Sequence, residues 1–290
     1  MAKKINVLSL FGGIECWRVA MERLGWEIGN YYSAEIDPYA IKITKANYPD
    51  IVHIGSVTEV DGTAYEGKID ILIGWSPCQS FSIAWKQEGF DGKSWLFYEY
   101  LRILKEVKPR YFLLENVKMK KEWKDIISKE LWVEPIEISS SLVSAQNRKR
   151  LYWTNIPWIT QPEELNITIS EIIKFKTEIK LCSFVEKKLP LLIEKYWKIP
   201  HIFNPYNLSE ITDKSPALTA QWNSQTKSSS IIIYEDGKFF MLNANAWETL
   251  QNLPIDYTFW ENEWIRKTLI WNWWTVDVIK HILSFCYFTS

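Results

Sequence analysis

Between residues 5 and 154 short apolar runs alternate with stretches of helical spacing, and this alternation narrows the fold more than any other feature. Residues Ile5–Leu10 read as a buried strand. A glycine-containing turn at 11–13 leads into a helical pattern from Glu15 to Leu24. A second strand over 28–34 ends at Glu35-Ile36-Asp37, and Pro38 opens a helix through Ala46. Ile51–Ile54 and Ile69–Ile73 read as strands, Leu96–Val107 as a helix, and Tyr111–Leu114 as a strand ending at Glu115-Asn116-Val117. A helix over Trp123–Leu131 and strands over Ile136–Leu142 and Arg150–Thr154 complete the series. Strands and helices alternating at this pace predict a doubly wound, parallel α/β sheet with helices on both faces, Rossmann-like in class. Ligands of such sheets bind beyond the C-terminal strand ends. Glu35, Asp37, Cys78 and Glu115 all fall there.

After Pro157 the texture changes to short apolar runs mixed with Pro, Asn, Ser and Lys. Helical stretches are expected around 169–177 and 183–195, an extended loop over 212–230, and a hairpin over Ile231–Met241 turning at Asp236-Gly237. From Trp247 the pattern is helical again, and Val276–Phe285 is apolar at helical spacing. The expected division is a catalytic and cofactor-binding lobe over 1–157, a smaller lobe over 158–241, and a C-terminal return over 242–290 that completes the first lobe.

Charge excludes several classes of function. The chain has 290 residues, with 34 Lys+Arg against 35 Asp+Glu, so it is neither a strongly basic coating protein nor an acidic tail. No uncharged apolar run approaches the roughly 18 residues of a membrane helix, and the N-terminus lacks the apolar core of a signal peptide. Cys16, Cys78, Cys182 and Cys286 are widely spaced and form no CxxC pair. A cytoplasmic protein with no membrane partner, no metal and no disulfide frame is expected, as a monomer or weak oligomer.

The composition is abnormal in one respect: 17 Trp accompany only 11 Gly, where average usage predicts roughly 20 Gly. Several tryptophans stand where a tight turn or a close backbone approach asks for glycine. Trp75 follows an apolar strand directly, Trp17 lies where a strand turns into a helix, and Trp271 and Trp273 precede the last helical run. Trp17, Trp26, Trp75, Trp85, Trp95, Trp132, Trp158, Trp197, Trp222, Trp260, Trp271 and Trp273 are the candidates, whereas Trp123, Trp153 and Trp264 read as ordinary. One cause would be UGA codons, read as Gly in some bacterial codes and as Trp in others. The alternative is a tryptophan-rich gene.

Three short motifs carry chemistry. In Pro77-Cys78-Gln79 a cysteine follows a strand on a rigid turn, where a thiolate would be a nucleophile. By itself such a cysteine is more often a small buried hydrophobe. Glu115-Asn116-Val117 places an acid at an adjacent strand end. Gln146-Asn147-Arg148-Lys149-Arg150 carries cations at i and i+2, on one side of a strand.

In this order, the three motifs resemble those of the DNA cytosine-5 methyltransferases. Further matching pieces are Ser9-Leu10-Phe11-Gly12-Gly13-Ile14, Glu35-Ile36-Asp37, Glu248-Thr249-Leu250-Gln251-Asn252-Leu253-Pro254 and Trp271-Asn272-Trp273. The match covers roughly 1–157 and 242–290, and it is similar to the branch holding the de novo enzymes and their phage and bacterial relatives. The resemblance implies methyl transfer from S-adenosyl-L-methionine to C5 of cytosine in double-stranded DNA. Cys78 would attack C6, Glu115 would hydrogen-bond N3 and the exocyclic amine, and Arg148 and Arg150 would hold the O2 side. The base would leave the stack to be reached, under a lid formed by the loop after Cys78.

Phe11, Gly13, Ile14, Glu35, Ile36, Asp37, Ser56, Pro77 and Asn272 would line the cofactor site, with Glu35 on the ribose and Ile36 on the adenine. The family usually has Asp at the Ser56 position, and glycine at Trp17, Trp271 and Trp273. Gln79, Ser80, Lys118 and Lys120 would meet DNA near the flipped base. The 158–241 lobe sits where the family carries target recognition, and its Asn223 and Gln225 would reach base edges. RNA as the substrate, a non-catalytic DNA-binding relative, and a nicotinamide enzyme on the same fold remain alternatives. The last lacks a G-x-G-x-x-G fingerprint. The recognised site and any accompanying restriction enzyme stay open.

Overall fold

The computed structural model describes residues 3–75, 96–219, 225–227 and 229–288. In chain order the first elements are β1 (Ile5–Leu10), α1 (Cys16–Arg23), β2 (Ile28–Ala34), α2 (Pro38–Asn47), β3 (Val52–His53) and β4 (Ile71–Trp75). They are followed by α3 (Leu96–Val107), β5 (Tyr111–Val117), α4 (Lys121–Leu131), β6 (Ile136–Ser139), β7 (Gln146–Asn147) and β8 (Lys149–Thr154). Among the described residues these strands, β7 excepted, form a seven-stranded sheet in the order β3-β2-β1-β4-β5-β8-β6. The strands from β3 to β5 are parallel.

The far edge departs from the parallel expectation. β8 runs antiparallel to both β5 and β6, between which it is inserted. The physical reason is the connection: parallel neighbours need a crossover element, and the short link from β6 to β8 contains no helix longer than one 3-10 turn. The sheet is therefore mixed α/β.

Strand alternation sorts β1 between the two faces. Leu8 and Leu10 pack in a fully buried cluster with Phe97, Tyr100 and Ile103 of α3 and with Leu114. Ser9 points the other way and accepts a hydrogen bond of 2.9 Å from Trp17 Nε1 of α1. Each large apolar side chain so buried contributes about 1.5–3 kcal/mol.

The chain divides into two compact units. One comprises residues 1–139, 149–161 and 278–290, the other 140–148 and 162–277. This grouping differs from the expected lobes, because 140–148 and 242–277 belong to the second unit. Local pairing explains the first segment: β7 pairs with β12 (Ser215–Pro216) of that unit. Its other elements are β9 (Lys176–Glu178), α5 (Ser183–Glu186), α6 (Leu189–Tyr196), β10 (Ile202–Asn204), β11 (Ser209–Glu210), β13 (Ile232–Glu235), β14 (Lys238–Leu242), α7 (Ala244–Leu250) and α8 (Glu263–Asn272). α9 (Val276–Leu283) spans the boundary.

A five-stranded antiparallel sheet, β11-β10-β13-β14-β9, organises the second unit. The expected hairpin is present, with Asp236 and Gly237 both at positive φ, 51° and 77°, as a two-residue turn of that hand requires. The helix expected over 169–177 is instead a single 3-10 turn at Ile169–Glu171 followed by β9. Pairing of β9 with β14 overrides the local periodicity. The helix expected over 183–195 splits into α5 and α6, with Pro190 in the first turn of α6.

Candidate active site

The β1–α1 turn lies at the C-terminal end of the central strands. Its backbone is bent by Phe11 and Gly13 at positive φ, 56° and 53°. Gly12 has no room for a side chain: a Cβ there would collide with the buried Glu15 Oε1 and Ser33 Oγ. The turn is pinned from two directions. Gly13 N–H donates to Glu35 Oε2 at 2.8 Å, and Thr44 Oγ1 donates to the Gly13 carbonyl at 2.9 Å. The other Glu35 oxygen accepts from Ile36 N and Asp37 N, both at 2.8 Å. Burial raises the Glu35 pKa, and these backbone donors oppose the shift. Beside it Ile36 is 72% exposed, an apolar surface with nothing covering it among the described residues. Ile14 is buried.

Asp37 and Ser56 also act locally. Asp37 caps α2, accepting from Tyr39 N at 2.9 Å, and Ser56 accepts from Thr58 N at the start of a 3-10 turn.

An acid at the expected start of a helix is buried here. Glu15, at positive φ of 54°, is fully buried beneath the turn. Its Oε2 accepts from Tyr31 Oη at 2.6 Å and Ser9 Oγ at 3.1 Å. Burial pushes its pKa from 4.5 up to about 8, and the hydroxyl partners only moderate this. The available signal was a lone charge between two apolar residues, Ile14 and Cys16.

The folded state thus binds a proton at Glu15 that the unfolded chain releases. That stabilisation is complete below pH 4.5 and is lost as pH rises to about 8. Glu15→Gln, which mimics the protonated acid, is expected to remove this decline of roughly 4 kcal/mol. Urea unfolding at pH 5 and pH 9 checks it; an unaltered pH dependence in the variant would refute the assignment.

At the next strand end Glu115 and Trp75 are register partners on β5 and β4. Glu115 is nearly buried, and its carboxylate Oε1 lies 2.9 Å from Arg150 Nε on β8. The Trp75 indole turns back over the β1–α1 turn, donating from Nε1 to the Phe11 carbonyl at 2.9 Å. Its ring meets that of Phe11 edge-on, with centroids 6.2 Å apart.

Pro77, Cys78, Gln79, Ser80 and Asn223 lie outside the described residues. The structure does not carry Arg148 and Arg150 on one strand, as their spacing predicted. The ladder breaks at Arg148 between β7 and β8, and the two arginines fall in different units. Arg148 is buried. Lys118 pairs with Glu137 at 3.1 Å, and the Lys120 ammonium lies 5.1 Å from the Trp123 ring centroid. Both amide ends of Gln225 engage backbone, with Oε1 accepting from Cys182 N and Nε2 donating to the Lys180 carbonyl, each at 2.8 Å. Asn272, at the end of α8, donates to the Thr268 carbonyl. In the motif that begins at Glu248, that carboxylate is buried and accepts from Asp256 N, Thr258 N and Thr258 Oγ1 beside Arg266.

Among the described residues no three metal-ligating side chains cluster, and no helix is long and apolar enough to cross a membrane.

Comparison with known proteins gives this arrangement a family. The chain is 38% identical over 175 residues to the type II methyltransferase M.NgoBV of Neisseria gonorrhoeae, covering 52% of this chain and 41% of that protein. It is 38% identical over 162 residues to the type II methyltransferase M1.ScrFI of Lactococcus lactis subsp. cremoris, covering 51% and 41%. The matched regions thus span less than half the length of these relatives. In fold it is similar to the Entamoeba histolytica methyltransferase EhMeth, with a TM-score of 0.71 at 16% identity, covering 98% of both chains. The model of the C-5 cytosine-specific DNA methylases matches residues 5–251, and the chain belongs to that family.

Proposed function

We propose that this chain transfers a methyl group from S-adenosyl-L-methionine to C5 of cytosine in duplex DNA. The observation that carries the reading is the juxtaposition at two adjacent strand ends. The buried Glu115–Arg150 pair sits beside Trp75, and Cys78 follows Trp75 by three residues in the chain.

The residues around the β1–α1 turn suit the cofactor. Glu35 offers a carboxylate to ribose hydroxyls, and the exposed Ile36 offers a surface for adenine. Asp37, Ser56, Pro77 and Asn272 complete the proposed set. When bound, S-adenosyl-L-methionine supplies an electrophilic methyl group.

The chain's own residues make cytosine reactive. Attack of the Cys78 thiolate on C6 forms a C–S bond and pushes electron density to C5. Glu115 hydrogen-bonds N3 and the exocyclic amine and stabilises the charge that develops on the ring. Arg150 holds Glu115 in place, and Arg148 is assigned to the cytosine O2. After methylation, loss of the C5 proton to solvent forms the C5–C6 double bond as the Cys78 sulfur leaves C6, which restores the aromatic base and the free thiolate. Gln79, Ser80, Lys118 and Lys120 are assigned to the DNA around the flipped base, and Asn223 and Gln225 to target recognition by the second unit.

The test is incubation with tritiated-methyl S-adenosyl-L-methionine and mixed-sequence duplex DNA, with an RNA pool in parallel. It uses the chain as written and a version with glycine at the twelve candidate positions. Label in 5-methylcytosine of DNA is the expected result. Label confined to RNA would reassign the substrate, and no label in either, with folded protein, would overturn the reading.

A further inference from the structure

Three of the nine candidate tryptophans among the described residues stand apart in backbone conformation. Trp132, Trp158 and Trp197 have positive φ, at 59°, 62° and 61°. All three are among the twelve candidate positions, and Trp123, Trp153 and Trp264 are not in that region. A bulky L-residue there is a strong outlier, because its Cβ crowds the backbone.

Two of the three sites are helix stops of the kind that glycine makes. Trp132 occupies the left-handed position after α4, and the following Val133 N–H reaches back to the Ser128 carbonyl at 3.2 Å. That is the six-to-one bond of a Schellman motif. The chain supplies its own control at the end of α1. There Trp26 N–H reaches back to the Met21 carbonyl in the same pattern, and the left-handed position is held by Gly25, at φ 71°. Trp197 ends α6 in the related single-bond form, its N–H donating to the Ile193 carbonyl at 2.7 Å. Trp158 follows Pro157 in a turn, and proline followed by a positive-φ residue is the pattern that takes glycine second.

No packing offsets the strain. The three residues are 90%, 86% and 92% exposed, so their rings remain in water while their backbones hold a glycine conformation.

We infer that the working protein carries glycine at 132, 158 and 197, because its gene is read in a code in which UGA specifies glycine. The same code applied to all twelve candidates brings glycine to about 23, near the usual share for this length. Read as glycine, position 75 also uncovers the Phe11 carbonyl and the turn beside it.

Peptide sequencing by tandem mass spectrometry of the protein from cells that carry the gene decides the matter. Glycine at 132, 158 and 197, with tryptophan at 123 and 153, is expected; tryptophan at any of the first three overturns the inference. An independent arm compares the recombinant chain as written with the triple variant Trp132→Gly, Trp158→Gly, Trp197→Gly. Its melting temperature is expected to rise by roughly 3–8 °C. The matching triple-alanine variant removes the rings but keeps Cβ, and should gain less than half of that. An unchanged or lower melting temperature in the glycine variant contradicts the inference. Neither readout depends on the proposed activity.

Discussion

Cys78→Ala is expected to lower methyl transfer by about 10⁴-fold or more while duplex DNA still binds. Cytosine C5 is a poor nucleophile until C6 is attacked, and no other side chain in the proposed machinery supplies a thiolate. DNA affinity rests mainly on phosphate contacts, which the substitution leaves in place. Single-turnover transfer and filter binding on the same folded preparation separate the two effects. Transfer retained within ten-fold of the parent would remove Cys78 from the mechanism. It would leave family membership untouched, because that rests on the match over residues 5–251.

Glu115→Gln should slow the chemical step by about 10³-fold with little change in the concentration of DNA needed for half-saturation. The amide keeps the shape of the side chain but loses the charge that pairs with Arg150. Glu115 and Arg150 side chains are only 7% and 17% exposed. Removing one member of so enclosed a pair costs about 3 kcal/mol, so thermal unfolding must accompany the kinetics. A variant that is destabilised yet transfers methyl at the parental rate would make Glu115 a structural residue. A slow variant with unchanged half-saturation supports its place on the cytosine ring.

The β1–α1 turn marks where local sequence stops being informative. The motif from Ser9 to Ile14 predicts a glycine turn at the end of a strand, and the turn is found there, with Gly13 at positive φ. The sequence held no indication that Glu35 would tie the Gly13 amide to the end of β2, or that Tyr31, Ser9 and Glu15 would share one buried cluster. Those contacts join residues up to 22 apart along the chain. Only the pairing of β1 with β2 brings them together. The same holds for Glu115 and Arg150, which meet because β8 returns antiparallel beside β5.

Several recognition residues read differently once their neighbours are known. Lys118 pairs with Glu137 and Gln225 with backbone at 180–182, so the proposed contact of either with DNA requires it to exchange that partner. A polar side chain in a loop carries no mark in sequence of whether its partner is nucleic acid or the chain itself.

By itself the sequence determined the alternation of strands and helices in the first unit, the hairpin at Asp236-Gly237, the family motifs and the tryptophans at positions that suit glycine. These depend on period, turn chemistry and residue type, which act over a few residues. Tertiary structure alone decided the antiparallel insertion of β8, the assignment of 140–148 and 242–277 to the second unit, the conversion of an expected helix into β9, and the burial of Glu15. Each is settled by partners distant in the chain, whose pairing and packing free energies outweigh a local preference of a few tenths of a kcal/mol per residue.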